Sequence, residues 1–130
     1  MHCYVAHSNT VLKNFAEVFV KMEKYKLRLR YIYTFYSFDE ILLEDAFDSF
    51  VELDDAPLRF KLEHQEDATF IISEPRCDAT GVFAVLTFPS KDNIIVREGE
   101  ECELEYDEFF DAMGDNNHNV YEGTLTLCRD

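Results

Sequence analysis

Glu101, Glu103 and Glu105 alternate with Cys102, Leu104 and Tyr106. On a strand this spacing turns three carboxylates to one side, about 6.6–6.8 Å apart. Asp107 and Glu108 follow directly, and between Glu98 and Asp115 the chain carries nine carboxylates and no Lys or Arg. Fixed negative charge this dense can do two things. It can accept hydrogen bonds from Lys and Arg of a basic partner, matching nucleic-acid phosphates in sign and rough periodicity, or it can hold a cation. A row of like charges costs folding free energy unless solvent or a partner screens it. The simpler account of the same residues is a charged edge strand that resists edge-to-edge association. A second acidic set, Glu44, Asp45, Asp48 and Glu52, lies between Asp39–Glu40 and Asp54–Asp55. Carboxylates in a first helical turn complement the helix dipole, which accounts for Asp39 and Glu40 but not for Asp48 and Glu52 further on.

Cation and catalytic chemistry find less support. Asp111, Asp115, Asn119 and Glu122 fall at positions 1, 5, 9 and 12 of an EF-hand register, but position 3 is Met113 and the position that needs glycine is Asn116. His2, Cys3 and His7 cluster without a second half-site, and His64 and His118 stand apart, so no zinc site is expected. The serines lie in no nucleophile-elbow frame, and four glycines leave no phosphate-cradling loop. Neither catalytic residues, nor a resident metal, nor a cofactor is expected. Cys3, Cys77, Cys102 and Cys128 show no paired spacing and read as reduced packing residues.

The charge is unevenly spread. Residues 1–36 hold six Lys/Arg against two Glu, for +4, and the remaining 94 hold six against 25 Asp/Glu, for −19; together these make the net −15. Such a surface repels free nucleic acid and anionic lipid and favours a partner that is itself basic. The basic stretch Lys21–Arg30 is expected to form ion pairs with the acidic part, within one chain or across a homodimer. Apolar residues make up 47% of the chain and aromatics 15%, more than a disordered acidic chain would have, so the charge sits on a folded body. At 130 residues one domain is expected. No run of 18 apolar residues and no secretion-signal pattern is seen, which predicts a soluble, cytoplasmic protein with no membrane contact.

The elements that must position these residues follow from periodicity. Ser8–Thr10 can cap a helix whose stripe is Val11, Leu12, Phe15, Ala16, Val18, Phe19 and Met22. Leu27–Tyr36 alternates like a strand, with a continued helix from residue 11 as the alternative. Ser37-Phe38-Asp39-Glu40 has the spacing of a capping box, which predicts a second helix to about Val51 with Glu44, Asp45, Asp48 and Glu52 on its wet side. Strands are expected at 58–63, 69–73, 82–88, 94–97, 101–106 and 120–128, with a helical turn from Asp107 to Met113. The predicted fold class is α+β: two helices from the N-terminal half packed on one face of a mostly antiparallel sheet of about five to six strands.

The functional expectation is a non-enzymatic acidic protein that neutralises a basic, nucleic-acid-handling protein such as a nuclease. Glu101, Glu103, Glu105, Asp107 and Glu108 would be the first contacts and Glu44, Asp45, Asp48 and Glu52 the second, with Phe109 or Tyr121 as aromatic anchors. In size and charge alone the chain is similar to immunity proteins, DNA-mimic inhibitors and acidic secretion chaperones. A chaperone or scaffold subunit that binds an apolar client is the alternative. A divalent-metal-binding protein or small enzyme built on Asp107–Glu122 ranks below both.

Overall fold

The computed structural model describes residues 23–66, 68–89, 92–109 and 117–129, and all the regular structure in them is strand. Three 13-residue strands dominate: β1 (Tyr25–Ser37), β2 (Glu40–Glu52) and, at the far end of the chain, β9 (Asn117–Arg129). Between them lie β3 (Leu58–Phe60), β4 (Phe70–Ile72), β5 (Arg76–Asp78), β6 (Gly81–Thr87), β7 (Ile94–Arg97) and β8 (Glu101–Phe109). The first sheet has the order β2-β1-β9-β8, antiparallel throughout. In the second sheet β3 pairs with β4, β4 and β5 pair with successive stretches of β6, and β7 also pairs with β6.

The α+β expectation is overturned. The segment expected as a helix from Ser37 to Val51 is a hairpin turn followed by β2. Phe38 and Asp39 take left-handed φ values of 51° and 66°, and Ser37 pairs with Glu40. Two consecutive positive-φ residues make the tight turn whose twist matches that of the flanking strands. The Ser-x-x-Glu spacing that suits a helix cap thus closes a hairpin instead. Leu43, Phe47 and Val51 recur every four residues, a spacing that suits a helical stripe and one face of a strand equally well. Pairing along nearly the whole length of β1 decided between them. The helix expected around residues 11–22 lies outside the described residues. Asp107, Glu108 and Phe109 extend β8 where a helical turn was expected, and the rest of that turn is also outside the described residues.

One apolar cluster joins the two sheets. Leu27, Leu29, Tyr31 and Tyr33 project inward from β1, Leu104 and Tyr106 from β8, and Tyr121, Leu125 and Leu127 from β9. They meet Phe70, Ile72, Ala84, Leu86 and Val96 of the second sheet. Each set is every second residue of its strand, as a half-buried strand requires. At one edge Glu98 bridges in parallel to Leu127 and pairs with Arg129 at 2.8 Å, tying the end of β7 to β9. Gly99, at φ 84°, occupies the third position of the 97–100 turn into β8, where a side chain would be strained. β2 stands apart from this cluster at its start: from Glu40 to Ala46 every residue is exposed.

Cys77 is disulfide-bonded, against the expectation of reduced packing cysteines, while Cys102 and Cys128 are free. Spacing along the chain does not report which cysteines the fold brings together. No helix among the described residues is long and apolar enough to cross a membrane.

The β5–β6 turn carries a testable charge pair. Asp78 accepts two hydrogen bonds from Arg97, both at 3.0 Å, and two more from the Thr80 amide and hydroxyl. The Arg97 guanidinium, ahead of Thr80, holds the Asp78 carboxyl well below the usual carboxylate range. A carboxylate whose pKa is depressed by folding stabilises the protein above its unfolded pKa, and that contribution is lost as the pH falls through the folded value. Asp78→Asn should therefore lower the urea midpoint at neutral pH. The gap from the parent should close progressively below the ordinary value of 3.8. The pair is partly exposed, so the effect should be small and salt-sensitive.

Candidate functional site

The outer face of the first sheet gathers most of the predicted contact residues, in two different electrostatic settings. Glu101, Glu103, Glu105 and Asp107 form one exposed row along β8. Across from them on β9 stand Thr126, Thr124, Glu122 and Val120. No cation opposes the row from β9, and Glu122 lies directly opposite Glu105, an arrangement that costs stability. Glu101, Glu103 and Asp107 make no ion pair with any described residue.

The second acidic set is arranged differently. Glu44, Asp48 and Glu52 share the outer face of β2, facing Thr34, Arg30 and Lys26 of β1, while Asp45 faces Tyr33 and points the other way. Arg28 reaches Asp48 through two hydrogen bonds, of 3.0 and 2.8 Å, and Arg30 approaches the same carboxylate at 3.8 Å. The hydrogen bond from Arg28 lowers the pKa of Asp48, and the same contact raises that of Arg28. Lys26 lies 4.4 Å from the centre of the Phe50 ring, within cation–π range. The outer face therefore runs from an acidic row on β8 with no cation opposite it on β9, across the threonines and Glu122 of β9, to a basic column on β1 that pairs with Asp48 of β2. At about 4.8 Å per strand, the acidic row stands roughly 10 Å from that column.

Glu108 does not belong to this face. It follows Cys102, Leu104 and Tyr106 in parity, turns inward and is 8% exposed. Extending the alternation by one more step would have placed it there from the sequence. Tyr121 is fully buried and cannot anchor a partner, whereas Phe109 is 54% exposed at the end of the acidic row. Its ring stacks on His118 at 4.9 Å, and His118 stacks on Tyr36 at 5.0 Å, so an aromatic block closes that end of the row.

A second site lies on the inner side, where the loop after β3 meets β1 and β9. His64, at φ 65°, occupies the third position of a turn closed by the Gln65 amide donating to the Leu62 carbonyl. In that conformation its ring stacks 4.5 Å from Tyr33. The loop is stitched to the first sheet by polar contacts. The Glu66 amide donates to both Glu108 oxygens, at 3.0 and 3.2 Å. Asn119 Nδ2 donates to the His64 carbonyl and to Glu108, each at 3.1 Å. Tyr33 donates to Asn119 Oδ1 at 2.6 Å, and Tyr121 donates to the Glu63 carbonyl at 2.7 Å. Burial, with Glu108 and Glu66 nearby, raises the Tyr33 pKa, which keeps that hydroxyl a donor. Tyr33, Phe35, His64, Gln65, Glu66, Asn117 and Asn119 line an open cavity of about 510 Å³. Apart from Asn119, considered only in the calcium register, none of its lining residues was singled out as a binding residue from sequence, because Tyr33 and Asn119 are distant in the chain and the loop comes from the other sheet.

The calcium register does not assemble on β9: Asn119 faces inward and Glu122 outward, so the two cannot share an ion. Among the described residues no three His, Cys, Asp or Glu side chains are grouped to hold a metal. No family model, no curated protein and no solved structure matches this chain.

Proposed function

We propose that this is a non-enzymatic binding protein that neutralises a basic, nucleic-acid-handling protein through the β8 side of the first sheet. The observation that carries this reading is the contrast between the two acidic sets. On β2, Asp48 and Glu52 face Arg30 and Lys26 and Asp48 is also joined by Arg28, whereas on β8 Glu101 and Glu103 face threonines, Asp107 faces Val120, and none of these three makes an ion pair with a described residue. A partner's Lys and Arg, shaped to grip phosphates, would meet acceptors at every second residue of a strand. The net charge of −15 would speed that encounter. Phe109, beside Asp107 and stacked on His118, supplies the aromatic anchor.

Capture from the source organism's lysate, with the bound protein identified and its affinity then measured at low and high salt, tests this. A basic nucleic-acid-binding protein whose affinity falls steeply with salt is the expected result. Glu122→Lys sharpens the test, since it places a cation opposite Glu105. It should raise the stability of the free protein by about 0.5 kcal/mol while weakening the partner complex. If both quantities fall together, the row's role is structural.

One feature favours a second reading. Phe38 is 70% exposed, and Ile41, Leu42 and Leu43 beside it are exposed too, so the β1–β2 hairpin ends in apolar surface. A chaperone or scaffold that holds an apolar client would use this tip, and its affinity would be insensitive to salt.

A further inference from the structure

The outer face of the first sheet carries both signs of charge, and they stand at matching heights. Thr126 of β9 has Arg28 of β1 on one side and Glu101 of β8 on the other, and Thr124 has Arg30 and Glu103 in the same way. Because β9 is antiparallel to both neighbours, β1 and β8 run in the same direction. The two arginines share one carboxylate. Asp48 binds Arg28 at 2.8 Å and stands 3.8 Å from Arg30, whose side chain remains 62% exposed. Glu101 and Glu103 are exposed and make no ion pair with any described residue. Within one chain β9 holds the acidic row roughly 10 Å from the basic column, and no ion pair spans that distance. The face thus offers each sign of charge at a fixed offset from the other, a pattern that is complementary to itself.

We propose that this face pairs with the same face of a second copy of the chain, about a two-fold axis lying along β9. Rotation about that line keeps the direction of every strand and exchanges the flanks, so β8 of one protomer lies over β1 of the other. Heights are preserved. Glu103 of each protomer comes over Arg30 of the other, and Glu101 over Arg28, each pair occurring twice by symmetry. Stacked sheets lie about 10 Å apart, a gap that facing Arg and Glu side chains can bridge. Packed sheets cross at about 30°, which moves neighbours little near a crossing point at Thr124 and Thr126. These threonines are short and half-buried, so the axis strand permits close approach. Ile32, 49% exposed beside Arg30, would be covered. Glu122 would meet its own copy on the axis, and both chains carry −15, so the association is weak and reversible. Such a dimer covers the acidic row, so a basic partner and a second copy compete for it. The inference itself needs no other protein and is tested without one.

Sedimentation equilibrium of the full chain alone, over a range of concentrations, should show a reversible monomer–dimer equilibrium. Glu103→Lys should weaken the dimer about tenfold, although it reduces the net negative charge and with it the general repulsion between chains. Arg30→Glu should weaken it too. The double variant Arg30→Glu/Glu103→Lys exchanges the charges within each pair, restores the parental net charge and should recover most of the lost affinity. Urea midpoints check that each variant is folded. Cys128 gives a second readout, because it lies on the same face beyond Thr126, is half-buried and carries a free thiol. A bis-maleimide with a spacer of about 10 Å should join two chains through Cys128. Cys128→Ser should abolish that product, whereas Cys102→Ser, on the inner side of β8, should not. Four results would overturn the proposal: a monomer at every concentration, a dimer untouched by Glu103→Lys, no recovery in the folded double variant, or cross-linking that persists in Cys128→Ser.

Discussion

Gly123→Val should abolish the native fold, and Gly123→Ala should cost about 3 kcal/mol or more, at the top of the range for overpacking. Gly123 sits in β9 between Tyr31 of β1 and Leu104 of β8. A Cβ built there would lie 2.0 Å from the Arg30 carbonyl oxygen, 2.5 Å from Tyr31 Cα and 2.8 Å from Tyr31 Cβ. Two of these three are backbone atoms of the central strand, so no rotamer change relieves them, and β1 would have to separate from β9. That movement would disturb the Tyr31–Tyr121 contact, whose ring centroids are 5.8 Å apart, and the strand pairing that forms the middle of the first sheet. Urea denaturation of the alanine variant is the measurement. A midpoint equal to that of the parent would mean that β1 and β9 tolerate a wider separation than this packing allows.

Reversing the charge of Glu103 and Glu105 together, to lysine, should lower affinity for the basic partner about a hundredfold, roughly 2.8 kcal/mol. Most of that loss should disappear at high salt. Glu103 and Glu105 are exposed on the β8 row, and Glu105 faces another glutamate, so the same change should leave the urea midpoint of the free protein at or above that of the parent. Reversal of Asp48 makes an instructive contrast. Asp48 is engaged by Arg28 and Arg30, so Asp48→Lys should destabilise the free protein by removing those contacts and placing three cations together. Isothermal titration of the identified partner with each variant separates the two surfaces. An affinity unchanged by the Glu103/Glu105 reversal would remove β8 from the interface.

Several strands could be read from the residues alone. The alternation of β1, β6 and β8 survives as predicted because a strand in a two-layer fold buries every second residue, and the apolar pattern records that directly. The acidic row of β8 was legible for the same reason, since Glu101, Glu103 and Glu105 take the parity opposite to Leu104 and Tyr106. Segment 37–51 was misread because its local signals were ambiguous. Ser-x-x-Glu is a helix cap or a hairpin turn, apolar residues at every fourth position suit either element, and Glu, Ala and Leu favour a helix. The inner cavity was illegible altogether, because its walls come from β1, β9 and a loop of the second sheet.

The residues by themselves determined the excess of negative charge, its concentration toward the C-terminal part, the apolar supply for a core and the side of β8 on which its acids stand. These are properties of composition and of short-range periodicity. Only the tertiary structure decided that 40–52 is a strand, that its Asp48 is paired with Arg28 and Arg30 of β1 while no cation of β9 stands opposite the β8 acids, and that Glu108 is buried beside Asn119 and His64. Each of these depends on pairing between segments far apart in the chain, and the free energy of such contacts belongs to the assembled sheets rather than to any local stretch.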